Sequence, residues 1–331
     1  MTKYIKVYII IYKVEGHHAP TGFFKTLGVH NMAYSKSKRD LYQEVTDKII
    51  DSLEQGVSPW VCPWDRSGEM TLPVNHSSGD FYRGINVCLL WMEQQLRGFS
   101  SSRWMTYKQA AAKGGHVKKG EKGTTVIFYK TWEKETGEFN ENGEGIIEKI
   151  PMLRSFTVFN LDQIEGIELP GPKANFEGGF DPIDAAETVL MASGVVIHEG
   201  GTRAFYRPST DEITMPDRTR FISANDYYAT ALHELVHATK HKSRCDRVPY
   251  DSKQAKGAYA FEELVAELGA NFCMAGLGLS GSVQDHASYI DHWLGVLRED
   301  KKAIFKAAAQ AQKAHEWIEQ ATQSFMSQDA A

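Results

Sequence analysis

Residues 223–241 read SANDYYATALHELVHATKH, and the spacing of histidine within them decides how the C-terminal half of the chain folds. Ser223 followed three positions later by Asp226 has capping-box spacing in its shorter-acid form, so a helix is predicted to begin there. Tyr228, Leu232, Leu235 and Val236 supply its buried face. On such a helix His233 and His237 stand one turn apart, so both imidazoles can reach a single cation. Composition alone would yield about 0.05 His-Glu-x-x-His matches in a chain of this make-up.

Within that pattern Glu234 is the candidate catalytic residue. It is placed to take a proton from an attacking water and pass it to the leaving amine, not to ligate. A catalytic zinc takes three protein ligands and leaves one position open. His241 continues the four-residue series, but a straight helix cannot aim three successive turns at one point, so it is read as solvated at the helix end. The third ligand is expected from AYAFEELVAELGANF, residues 258–272, a second helix carrying Glu262, Glu263 and Glu267. Glu263 and Glu267 share one face. Glu263 is assigned as ligand and Glu267 as the acceptor that orients an imidazole N–H. Glu262 is read as a surface residue and the second choice for ligand, and Tyr259 as a buried structural tyrosine in preference to an oxyanion donor. Zinc is the expected metal and manganese the alternative. TRAFYRPSTDEITMP, residues 202–216, is expected to form short strands around a turn, one of them open to pairing with an extended peptide.

The chain has 331 residues and a formal charge of −5, which excludes a uniformly basic nucleic-acid binder. The charge is unevenly spread. From Arg97 to Lys130 eight basic residues face one acid, Glu121, so this segment carries +7 and the remainder −12. Aromatic residues precede and interleave it, the combination that holds single-stranded nucleic acid: rings stack on bases while Lys and Arg follow phosphates. Trp60, Trp64, Tyr82, Arg103, Trp104, Tyr107, Lys108, Lys118, Lys119 and Lys122 are the candidate contacts. Trp91, at the end of an apolar run, is read as core.

Apolar periodicity predicts a helix from Lys38 to about Leu53, and a serine-capped helix is expected within residues 101–114. Residues 124–132 and 152–164 are β-rich, with the polar stretch 133–145 between them as a hairpin loop. Helices are expected near 185–193, 224–240, 258–275 and 283–320. The fold class is therefore α+β with two domains, residues 32–164 and a mainly helical 183–331 with a small sheet, joined by a Gly- and Pro-rich linker at 165–182. Residues 1–31 are read as an N-terminal extension, Met32 being the more natural start. Four scattered cysteines, no signal peptide and no apolar span point to a reducing, cytoplasmic setting without a membrane partner.

From about Leu41 to Ile318 the sequence resembles the ArdC-like antirestriction proteins of mobile elements. The N-terminal part of the likeness rests on PWVCPW, PVNHSSGDFYRGIN and WMTYKQAAAKGGHVKKGEKGTTVIFYK. The C-terminal part rests on YRPSTDEITMP, ALHELVHAT, YAFEELVAELGANF and YIDHWLGVLREDKKAIFKAAAQAQKA. The resemblance implies an N-terminal domain that binds single-stranded DNA and a C-terminal zincin-like metallopeptidase domain, together protecting plasmid or phage DNA from host restriction. It also implies that Tyr82, Arg83 and Asn86 of YRGIN contact DNA, and that the metal ligands are His233, His237 and Glu263. A host protein or peptide is the expected substrate. The alternatives are a primase-associated or accessory DNA-binding protein with a non-cleaving metal domain, and a plain intracellular metalloprotease.

Overall fold

The computed structural model describes residues 39–63, 71–139, 145–167, 182–253, 256–279 and 287–329. All but Arg39 of these belong to one unit, Asp40–Ala331. The expected extension, Trp64 and most of the expected linker lie outside the described residues.

Helix α1 (Leu41–Glu54) starts where the Asp40 side chain accepts the Gln43 N–H, and its buried residues include Val45, Ile49 and Leu53. Strand β1 (Val74–Asn75) follows, and then α2 (Ile85–Arg97), which ends at left-handed Gly98. Strand β2 (Arg103–Thr106) runs directly into α3 (Tyr107–Ala112). The cap of α3 is Thr106, reciprocated by Gln109, and not the serines expected from sequence, because Arg103–Thr106 pairs with a strand and delays the helix.

Strand β3 (His116–Val117) pairs with β6 (Ile164–Glu165), while β4 (Thr124–Phe139) and β5 (Gly145–Asn160) form one long antiparallel hairpin. Much of the expected polar loop is strand, since backbone pairing continues from Thr124↔Val158 to Glu135↔Ile147 whatever the side-chain polarity. The main sheet has the order β1-β2-β5-β4.

The C-terminal part opens with α4 (Pro182–Ala192) and a three-stranded sheet of β7 (Val196–Glu199), β8 (Phe205–Arg207) and β9 (Glu212–Met215), ordered β7-β9-β8. Helices α5 (Ala224–Ala238) and α6 (Gly257–Gly276) pack closely because Gly269 lacks a side chain. A Cβ there would stand 2.8 Å from Val236 Cγ1. The long helix expected at 283–320 is two, α7 (Ala287–Glu299) and α8 (Ala303–Asp329), interrupted at Asp300–Lys302. None of the described helices is long and apolar enough to cross a membrane.

One continuous core runs through both parts, from Val45, Trp60 and Trp91 to Phe272, Trp293 and Ala308. Trp60 meets Trp293 edge to face at 5.2 Å, and Trp91 meets Phe272 at 6.0 Å. The Thr46 hydroxyl donates to the Lys301 carbonyl, and the Gly84 N–H to the Gln312 side chain. The N-terminal elements therefore share buried surface with α6, α7 and α8.

Candidate metal centre and nucleic-acid surface

Helix α5 is capped by Ser223, whose Oγ accepts the Asp226 N–H, and it carries His233 and His237 on the side facing α6 with Glu234 beside them at the cleft. The two imidazoles lie 4.8 Å apart centre to centre, nearly perpendicular. Both turn Nε2 toward Glu263 of α6: His233 Nε2 is 3.6 Å from Glu263 Oε2, and His237 Nε2 is 3.5 Å from Oε1. Donor atoms of His233, His237 and Glu263 all fall within 4.8 Å of one another. Two imidazole nitrogens and a carboxylate oxygen form the donor set of a zinc site with one position left for solvent, so the residues present fit the metal.

The outward nitrogens are also engaged. His233 Nδ1 lies 3.7 Å from Glu267 Oε2, the acceptor expected from the sequence. His237 Nδ1 lies 3.3 Å from Glu262 Oε1, and Glu262 is in turn paired with the buried Arg247. Glu262 is thus not the surface residue expected. The loop after α5 returns Arg247 against Val236 and Thr239, and that cation draws the carboxylate inward.

Burial alone would disfavour protonated imidazoles here. The neighbouring carboxylates outweigh it, raising His233 to about 10 through Glu263 and Glu267, and raising His237 through Glu262 and Glu263. Burial likewise pushes the Glu263 carboxyl up, but the two histidines hold it far below the usual range. The negative charge that favours those protons would also favour a divalent cation, which releases them on binding.

The cluster opens into a cleft of about 560 Å³ lined by Glu234, the β8 residues Phe205 and Tyr206, and Tyr259, Tyr289 and Trp293. Among the described residues β8 is an edge strand, with β9 on its inner side only. Tyr259 is exposed, with its hydroxyl 3.3 Å from that of Tyr289, which corrects the expectation of a buried structural ring. It stands one turn before Glu263 on α6 and so faces the same cleft. Tyr206 donates to Asp211, which also pairs with Arg244, so the β8–β9 turn is tied to the loop that follows α5. His241 approaches the same Asp211, 3.8 Å away, and is not part of the metal cluster.

Both parts of the chain have counterparts among known proteins. Residues 184–310 match the family described as zincin-like metallopeptidase, and residues 39–159 match the N-terminal domain of anti-restriction factor ArdC. The metal-free crystal structure of the antirestriction protein ArdC from plasmid R388 is 41% identical and superposes with a TM-score of 0.72, over 86% of this chain and 99% of that one. The chain belongs to the ArdC antirestriction family.

The Mn(II)-bound structure of R388 ArdC matches with a TM-score of 0.69 over 86% of this chain and 98% of that one, again at 41% identity. DNA primase TraC of Escherichia coli is 40% identical over 299 residues, 85% of this chain but 20% of TraC. A second TraC matches at 38% over 27% of its length, so the chain spans between a fifth and little more than a quarter of these relatives. The y4eC protein of Sinorhizobium fredii is 38% identical over 84% of this chain and 91% of its own.

The ArdC N-terminal region corrects several expected DNA contacts. Trp60 and Trp104 are fully buried and cannot stack on a base, because each fills the core beneath the sheet or between the two parts. The Asn86 amide is spent on the backbone: it donates to the Ile127 carbonyl at 2.8 Å and accepts the Ile127 N–H at 2.7 Å. Tyr82 is half-buried against Trp104, Val126 and Val158, and burial raises its phenol to about 12.

Arg83 is exposed, 3.3 Å from Glu316 of α8, at a cleft of about 490 Å³. Tyr107, Lys108, Lys118, Lys119 and Lys122 are exposed, and Arg103 is half-buried. Lys118 Nζ donates to the Asp162 carbonyl, and Arg97 pairs with Glu121 at 3.0 Å, cancelling the one acid of the basic segment. Most of the cations expected from sequence therefore lie at the surface, whereas two of the expected rings do not.

Proposed function

We propose that the protein binds single-stranded DNA without strong sequence preference, through its ArdC N-terminal region, and protects the DNA of a mobile element from host restriction in the cytoplasm. Its metal cleft would hydrolyse a peptide bond. The observation that carries the second part is the meeting of His233, His237 and Glu263 in an open cleft that also contains Glu234. A purely structural metal site has no need of a general base.

Bound there, zinc or manganese would act as a Lewis acid on the scissile carbonyl. An extended peptide would add to edge strand β8 by backbone hydrogen bonds, laying its carbonyl over the cluster. Glu234 would take the proton from the attacking water and return it to the leaving amine. Glu267 and Glu262 would hold the two imidazoles with Nε2 turned inward. The R388 relative is known in a Mn(II)-bound form, which supports a divalent cation in this chain as well.

A second reading is favoured by the TraC relatives, in which this region is a segment of a protein named DNA primase. In that reading it is a DNA-binding accessory module whose metal domain cleaves nothing. One restriction-challenge assay separates the two, comparing wild type with Glu234→Ala and with Arg83→Ala plus Lys118→Ala. Loss of protection in both variants supports the proposed function. Loss only in the basic variant makes cleavage dispensable and favours the accessory module, and loss in neither overturns both.

A further inference from the structure

With Trp60 and Trp104 buried, the bases of a bound strand need other rings. The β4–β5 hairpin presents them. Its register pairs Val126 with Phe156, Phe128 with Arg154 and Lys130 with Met152. Directly opposed residues point to the same side of a sheet, and side chains alternate along each strand, so these six share one face with Val158. At the inner end of that face Val126 and Val158 are buried beneath Leu90, Tyr82 and Phe99. Farther along the hairpin the cover ends: Phe156, Phe128, Arg154 and Lys130 are all exposed. The other face is packed in part: Ile127 lies in the main core and Leu153 packs against it, while Tyr129 opposite Leu153 is half-open.

Phe128 and Phe156 touch edge to face, with centroids 6.0 Å apart and planes at 76°, yet they remain 54% and 49% exposed. A cross-strand aromatic pair steadies a hairpin, but steadying does not require cations beside it. Here Arg154 stands directly across from Phe128, and Lys130 is two residues farther on the same face. Neither has an acidic partner among the described residues. Glu133 and Glu135 fall on the opposite face by alternation.

We propose that this face is a base-stacking platform for single-stranded nucleic acid, in which Phe128 and Phe156 take the faces of unpaired bases while Lys130 and Arg154 hold the adjoining phosphates. The proposal rests on the single-strand reading given above and assigns the surface that performs it. Half-open rings flanked by cations with no acidic partner among the described residues suit a ligand with exposed π-faces and a polyanionic backbone. A duplex hides its base faces, and an apolar protein partner would leave two charges buried without a counter-ion.

The test is fluorescence anisotropy of the full chain with a labelled oligothymidine and with an abasic oligomer of equal length. Wild type is expected to prefer oligothymidine. Phe128→Leu with Phe156→Leu keeps apolar bulk in the hairpin and removes the rings. It is expected to weaken oligothymidine binding about tenfold per ring and to leave abasic binding and the melting temperature unchanged. Phe128→Tyr with Phe156→Tyr should bind as wild type. Lys130→Ala with Arg154→Ala should weaken both oligomers alike and lower the salt slope by about 0.7 per cation removed. If the leucine pair binds oligothymidine as wild type does, the platform is elsewhere and only this proposal falls. If wild type binds no single strand at low salt, the reading beneath it falls as well.

Discussion

His237 presents its Nδ1 to Glu262 at 3.3 Å while its Nε2 faces Glu263 at 3.5 Å, so one imidazole joins two adjacent carboxylates of the same helix. The pairing with Glu262 fixes which nitrogen is offered to a cation. Glu262→Ala is therefore expected to weaken zinc affinity about 10- to 100-fold while the trio stays intact. His237→Ala should lose the metal outright. Competition titration against a chromophoric chelator measures the first, and elemental analysis the second. Wild-type affinity in Glu262→Ala would reduce the carboxylate to a surface partner of Arg247.

Glu234 is not among the ligating trio and lines the cleft beside it. Glu234→Gln should keep full metal content and the wild-type melting curve, yet lose at least about 100-fold in any peptide hydrolysis the protein performs. Metal loss in that variant would show that Glu234 ligates and that the donor assignment is incomplete.

Trp60 is fully buried against Trp293. Trp60→Ala is expected to cost about 3–5 kcal/mol in chemical denaturation. Because the ring bridges N-terminal elements and α7, a single transition should shift for the whole described body. Trp60→Phe should be milder and should bind oligothymidine as wild type does. A selective loss of single-strand affinity in the folded Trp60→Phe protein would return this residue to the DNA surface.

Gly269 sets the approach of the two helices that carry the candidate ligands. Gly269→Ala places a methyl group against Val236 and is expected to cost about 1–3 kcal/mol by overpacking. It should also weaken metal binding by moving Glu263 relative to the histidines. The double variant with Val236→Ala should recover both properties, and if it recovers neither, the contact does not set the helix spacing.

His315 is buried beside Cys273 and Phe272, and burial pushes its imidazole down to about 4 although Glu316 and Glu319 stand near. The unfolded chain binds a proton near pH 6.5 and the folded one does not until about 4. The contribution of His315 is thus fully present above pH 6.5 and is lost as pH falls toward 4, at up to about 1.4 kcal/mol per pH unit. Denaturation midpoints measured across that window should fall with pH in wild type and flatten in His315→Gln. Equal slopes would show that the imidazole is not held neutral by burial.

The clustering of His233, His237 and Glu263 was legible in the sequence because its parts are local. Helical spacing alone stacks His233 on His237 and sets Glu263 and Glu267 on one face, and Gly269 and Val236 then bring the two helices together. Glu262 was missed because its inward pull comes from Arg247, in a loop beyond α5. A signal exists in the sequence all the same: two coordinating imidazoles call for two acceptors, and Glu267 serves only one of them.

The DNA surface was less legible, since composition counts rings and charges without saying which side of a sheet they occupy. Trp60 and Trp104 entered the core because a large ring removes more apolar area from water than the smaller side chains competing for the same space. Asn86 was taken up by the backbone of β4, which needed both its donor and its acceptor.

By itself the sequence determined the helices that carry the candidate metal ligands, the α+β class, and the local excess of positive charge, because each follows from spacing a few residues long. Only the tertiary structure decided which aromatics meet solvent, how far the β4–β5 hairpin extends, and that both halves share one core. Those outcomes depend on which distant surfaces bury one another, and no short-range pattern in a chain encodes that choice.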